Sequence, residues 1–127
     1  MVNPRQRLGV VEITVNGTPL DIVPGSATFD KGGKRRKTQN GDQGANFSVE
    51  FAPAKVEAEI FYGPGTRLAN YENMDDLTVV VRCDTGQTYT MANAWEASDD
   101  RGIKAGDGGK HKLVFNADHK MVKEAGA

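Results

Sequence analysis

A single cysteine, Cys83, and two histidines, His111 and His119, remove most of the chemistry that a small chain could perform. One thiol cannot close an internal disulfide, and its place in an alternating apolar strand reads as a reduced, buried thiol packing as a small hydrophobe. The histidines lie eight residues apart with no cysteine or carboxylate at ligand spacing, so no metal or other cofactor is expected. No run approaches the length of about 18 apolar residues that a membrane-spanning helix needs. Residues 1–7 are polar, carry two arginines and have no apolar h-region, so they read as an arm over 1–8 and not as a signal peptide. A net charge of −1 excludes a globally basic nucleic-acid binder while leaving local patches open. Prolines number only 5 and there is one tryptophan, but 15 glycines are present, which suits an all-β chain with many turns. The 127 residues, 38% hydrophobic, are enough for one domain with a hydrophobic core.

What is present is mostly period-2 alternation. Leu77, Val79, Val81 and Cys83 alternate with Thr78, Val80 and Arg82, and Asp84-Thr85-Gly86 then supplies turn chemistry. The chain returns through Gln87, Thr88, Tyr89, Thr90 and Met91 to Ala92-Asn93-Ala94-Trp95, so 77–95 reads as a hairpin. Leu77, Val79, Val81, Tyr89, Met91 and Trp95 are its expected core residues. A first strand spans 9–16, and Asn16-Gly17 is a strong type I′ turn signal before the return over 18–23. Further strands are expected at 47–51, 55–62 and 110–116. A short helix is expected within 66–74, with Thr66 as N-cap and Leu68, Tyr71 and Met74 on one face. Residues 27–46 show no periodicity and read as a long, exposed basic loop, while 118–127 reads as a polar, frayed tail. The expected fold is mainly β, an antiparallel sandwich or barrel with one short α-helix, a long loop and terminal arms. Its unprotected strand edges would be paired between subunits in an oligomer.

The motifs do not support catalysis. Asp84-Thr85-Gly86 matches the triplet of retroviral-type aspartic proteases, but their paired carboxylates need dry, apolar surroundings. Arg82 stands two residues before the triplet and Gln87 follows where a small residue belongs, so the turn reading is preferred. Gly32-Gly33-Lys34 lacks the spacing and hydroxyl of a phosphate loop. The basic cluster Lys31, Lys34, Arg35, Arg36 and Lys37 places five positive charges in seven residues. It could grip phosphates, dock on an acidic protein surface, or simply be solvated. No aromatic lies between Lys31 and Asn46 to stack on bases, which favours docking on protein.

The run VVVRCDTGQTYTMANAW over 79–95, with Val15-Asn16-Gly17 and Ala54-Lys55-Val56-Glu57, resembles the tail tube proteins of contractile-tailed, Mu-like bacteriophages. The resemblance spans most of the chain and is least clear over 28–46 and at both ends. It implies a β-sandwich or barrel that assembles into six-fold rings, stacked as a hollow conduit for DNA inside a contractile sheath. The implied partners are other copies of the chain, the sheath protein, baseplate or initiator and terminator proteins, and genomic DNA passing without specific binding. The implied location is the virion tail, assembled in the host cytoplasm. Related folds form the tubes of R-type bacteriocins and type VI secretion systems, so a phage-derived device is an alternative. A small β-barrel module binding nucleic acid through the basic loop is the alternative from another class. Within the tube reading, Lys31, Lys34, Arg35, Arg36 and Lys37 are expected to contact the adjacent ring. Glu12, Glu57 and Glu59 face away from the apolar side of their strands, so some of them are expected either to line a lumen that repels DNA or to form an ordinary solvated face.

Overall fold

A computed structural model describes residues 3–71, 74–98, 102–106 and 109–126. The first hairpin joins β1 (Val11–Val15) to β2 (Thr18–Pro19) through Asn16 at φ 50° and Gly17 at φ 84°, the two left-handed positions that the Asn-Gly pair favours. Asn16 also anchors this turn to β7 (Leu77–Cys83): its Oδ1 accepts from the Thr78 amide at 2.8 Å, and its own amide donates to the Thr78 carbonyl at 2.9 Å. β1 then runs antiparallel to β7 with Ile13 opposite Val81 and Val15 opposite Val79. β7 turns through 84–86 into β8 (Thr88–Glu96), with Gly86 at φ 106°.

β8 is the strand that folds one sheet into two layers. Its first half pairs with β7, and its last residues pair with β9 (Lys110–Ala117), Trp95 opposite Asn116 and Glu96 opposite Phe115. Between the two halves the β7 register slips between Leu77 and Val79, and Asn93 stands at φ 52°. Such a bulge bends a strand and increases its twist. β9 pairs along its length with β6 (Ala54–Phe61), whose edge carries β3 (Thr28–Asp30). The path is thus β2-β1-β7-β8-β9-β6-β3, with β10 (Val122–Ala125) added beside β8. Inside the curl pack Ile13, Val56, Leu77, Val79, Val81, Met91, Leu113 and Phe115, all buried. The Phe29 and Tyr89 rings, 4.8 Å apart, meet across the two layers.

The architecture is the antiparallel β fold expected, and Val79, Val81 and Met91 are core residues as read. Trp95 is not: it is 40% exposed. With a strict period of two, Met91, Asn93 and Trp95 would share the inner face. The bulge at Asn93 moves the inner position to Ala94, which is buried, and turns Trp95 outward. Tyr89 is half-buried against the core.

Three further segments differ in detail from what their sequence suggests. The expected helix is a single 3₁₀ turn, Leu68–Asn70. Thr66 Oγ1 accepts from the Gly63 amide at 3.2 Å and so closes the preceding turn instead of capping a helix. Tyr71 and Met74 do pack against the core, while the Leu68 side chain lies outside the described residues. The tail at 118–127 is not frayed: Asp118 accepts from the Lys120 amide at 3.0 Å, starts a 3₁₀ turn (His119–Met121), and leads into β10. β10 then pairs residue by residue with β8, Val122 opposite Met91 and Glu124 opposite Tyr89. Residues 3–10 are exposed and irregular, as an arm should be, but the turn residue Asp84 holds their end. Its carboxylate accepts from the Gly9 and Val10 amides at 3.3 and 3.0 Å.

The largest departure lies in 27–46. Instead of a structureless loop, β3 is followed by a hairpin of β4 (Gly33–Gly41) and β5 (Gly44–Ala52), which form a separate two-stranded sheet. Gly32 sits at its root with φ 74°, and a Cβ there would lie 2.6 Å from Ala52 O and from Pro53 backbone atoms. Only glycine lets the two legs of the hairpin approach this closely.

Candidate assembly interface

The β4–β5 ladder is in register along its full length, and directly opposed residues on antiparallel strands point to the same face. Lys34 faces Phe51, Arg36 faces Val49, and Thr38 faces Phe47, so one face combines two cations with three large apolar side chains. The other face carries Arg35 opposite Glu50, Lys37 opposite Ser48, and Gln39 opposite Asn46. None of the apolar side chains is buried: Phe47 is 61%, Val49 44% and Phe51 67% exposed. Arg36 lies over the Phe47 ring at 5.0 Å, and Phe51 stacks on His119 at 5.5 Å. Two-stranded hairpins are marginal in water by themselves. Contiguous exposed apolar surface of this kind marks a site of association.

The basic cluster read from the sequence is therefore divided. Lys31 precedes the hairpin, Lys34 and Arg36 join the aromatic face, and Arg35 and Lys37 join the polar face. Arg35 bonds Asp30, and this contact, with the Gly32 amide, holds the Asp30 carboxyl below its ordinary pKa. Phe47, Val49 and Phe51 are the residues that sequence reasoning assigned only to a strand. Their alternation was visible, but alternation does not say whether the apolar face meets its own core or another molecule's.

The three carboxylates expected at a lumen lie on two different outer faces. Glu12 is exposed on β1 opposite Arg82, while Glu57 and Glu59 are on the outer face of β6. β1 and β6 direct Ile13 and Val56 into the same core, so these outer faces point apart. The β6 face is also not a negative wall. Glu57 pairs with Lys55 and, at 3.5 Å, with Lys112 of β9, and the Lys55 hydrogen bond is the first cause that pulls its pKa down.

Among the described residues no three of His, Cys, Asp and Glu cluster as metal ligands. His111 is buried with Nδ1 2.9 Å from the Gly102 carbonyl oxygen, a structural bond. Burial raises the Cys83 thiol pKa, the opposite of what a nucleophile needs. Among the described residues no helix is long and apolar enough to cross a membrane.

A β domain with no catalytic cluster among its described residues, and with an exposed basic and aromatic hairpin, has the form of an assembly component. The family model for phage tail tube proteins matches residues 4–121, and the chain belongs to that family, one of structural proteins and not of enzymes. A tail tube protein of Escherichia phage Mu is 35% identical over 112 residues, covering 88% of this chain and 91% of the relative. Among solved structures, the fold is similar to a chain of the anti-feeding prophage tube-terminating cap, with TM-score 0.64 and 10% identity over 100% of this chain and 96% of that one. It is equally similar to a chain from the sheath-tube complex of an extracellular contractile injection system in its extended state, with TM-score 0.64 and 12% identity over 98% and 95%. A chain of the sheath/tube terminator of that system gives TM-score 0.56 and 16% identity over 97% and 96%.

Proposed function

We propose that the chain folds as one unit over 1–127 and assembles into hexameric rings that stack as a hollow tail tube, a conduit for DNA within a contractile sheath. The observation that carries this reading is the β4–β5 hairpin, one face of which leaves three large apolar side chains largely exposed beside two cations. In this reading Lys31, Lys34, Arg35, Arg36 and Lys37 contact the adjacent ring. The tube grows from a baseplate or initiator in the host cytoplasm, ends at a terminator and becomes part of the virion tail. DNA passes without specific binding along one of the outer faces that carry Glu12 or Glu57 and Glu59. The relative from phage Mu supports the tail assignment, and the neighbours from sheath-tube, terminator and cap assemblies support the partners. Those neighbours also favour a second reading, the tube of a phage-derived contractile device, in which the cargo differs and the assembly does not.

Sedimentation and electron microscopy of the purified chain test the reading. Rings and tubes are expected to form with rising concentration. A monomer throughout, especially one that retards oligonucleotides, would replace the tube with a nucleic-acid-binding module. Exposed ion pairs contribute only about 0–1 kcal/mol each, but they recur around a ring. Changing Lys34, Arg35, Arg36 and Lys37 together to Ser should therefore leave the melting temperature nearly unchanged and yield short tubes or single rings. Wild-type tubes should shorten as salt rises, because exposed charges are screened. Full-length tubes from the Ser variant would show that the cluster serves another surface.

A further inference from the structure

The hairpin springs from one end of the sandwich, where β3 ends and β6 begins. Two open clefts lie at opposite ends of that sandwich. The near cleft is lined by the start of β1 and β6 and the end of β7, through Val11, Val56 and Cys83. It has two cationic residues on its wall, Arg7 and Lys31, against Glu124. The far cleft, about 790 Å³, is lined by the opposite ends of β1 and β6, through Val15 and Ile60, and by β2. Its walls include Leu20, Phe61, Tyr62, Tyr71 and Met74, and among the described residues its one charged lining residue is Asp21. Asp75 and Asp76, both exposed, follow Met74 directly.

We propose that the aromatic face of the hairpin of one copy seats in this far cleft of a second copy, with Phe47 as the apolar anchor and Lys34 and Arg36 beside Asp21. The proposal deepens the tube reading and rests on it. Three observations select this occupant and this cleft. The hairpin face and the far cleft are apolar surfaces of opposite charge, whereas the near cleft shares the hairpin's positive sign. Phe47 stands five residues from Ala52 at the root of the hairpin, about 17 Å along the strand, so the hairpin can carry it beyond the end of its own subunit. Because the donor and the acceptor lie at opposite ends, the contact is heterologous. Repetition of such a contact produces an open stack, not a closed pair. The inference thus also sets the direction of the stack, every hairpin pointing toward the far end of the next copy.

Thiol cross-linking tests it in assembled protein. In a Cys83→Ser background, Phe47→Cys is combined either with Thr18→Cys at the far cleft or with Thr28→Cys at the near one, and a short bismaleimide is added. A ladder of covalent oligomers is expected from the Thr18 combination alone. Tubes in the micrographs with no ladder from it, or a ladder from the Thr28 combination, would overturn the docking site while leaving the tube intact. Monomers at every concentration would overturn both. A charge exchange gives an independent readout. Asp21→Arg should raise the critical concentration for tube growth about tenfold, and adding Arg36→Asp should recover most of it. Tubes of Asp21→Arg that form as readily as wild type would also overturn the site.

Discussion

The β7–β8 and β4–β5 hairpins begin from the same local grammar and meet opposite fates. Each has an apolar strand alternating with polar or small residues, and each closes through a glycine-containing turn. In β7 the apolar face, Leu77, Val79 and Val81, is completely buried, whereas in β5 Phe47, Val49 and Phe51 stand in solvent. Alternation therefore specifies a strand with one face that should leave water, but not where that face goes. A face that finds no partner within its own fold is the signature of one that finds it in another copy.

Truncation should separate the two hairpins most sharply. Leu77→Ala is expected to cost about 2–5 kcal/mol, because it removes buried methyl groups and leaves a cavity. A chemical denaturation midpoint close to wild type would show that β7 is not the centre of the core. Trp95→Ala lies between the extremes, at about 1–2 kcal/mol, because the ring covers apolar surface but opens to water, leaving no closed cavity. A loss as large as that of Leu77→Ala would mean that assembly buries the ring.

Smaller effects sharpen the surface side of the comparison. Glu57 is ionised more readily in the fold than its ordinary pKa near 4.5 because Lys55 and Lys112 hold its charge. Its contribution is therefore present above that value and lost as pH falls through the lower, folded value. Glu57→Gln should lower monomer stability by about 0–1 kcal/mol at neutral pH and by nothing measurable in strong acid, which melting curves across pH will read. The smallest change in the monomer should come from Phe47→Ala, under about 0.5 kcal/mol, since the ring is largely exposed and only the Arg36 guanidinium lies over it. The same variant should assemble poorly. A monomer destabilised as much as by Leu77→Ala would show that the hairpin belongs to the subunit's own core and end the contrast.

Much of the sandwich was legible in the chain. The Asn16-Gly17 turn, the hairpin over 77–91 and the apolar alternation of 55–61 and 110–116 fold as their residue types suggest. Local chemistry is sufficient there, because turn geometry and inward alternation agree. The basic stretch misled because Lys34, Arg35, Arg36 and Lys37 carry no apolar alternation of their own. They form β4 because the apolar partner strand lies across the turn, at Phe47 to Phe51. The polar tail misled in the same way, since β10 is ordered by backbone pairing with β8 and, of its side chains, only Val122 packs against the core.

The sequence alone determined an all-β chain without catalytic machinery, and the run over 79–95 sufficed to suggest the family. It also placed Val79, Val81 and Met91 in the core, since period-2 burial is a property of the strand itself. Only the tertiary structure decided the fate of Trp95, because one left-handed residue at Asn93 reverses every side chain beyond it. It likewise decided that the basic segment is a two-faced hairpin, because strand pairing joins residues distant along the chain. No local pattern encodes which face then remains open to a second copy.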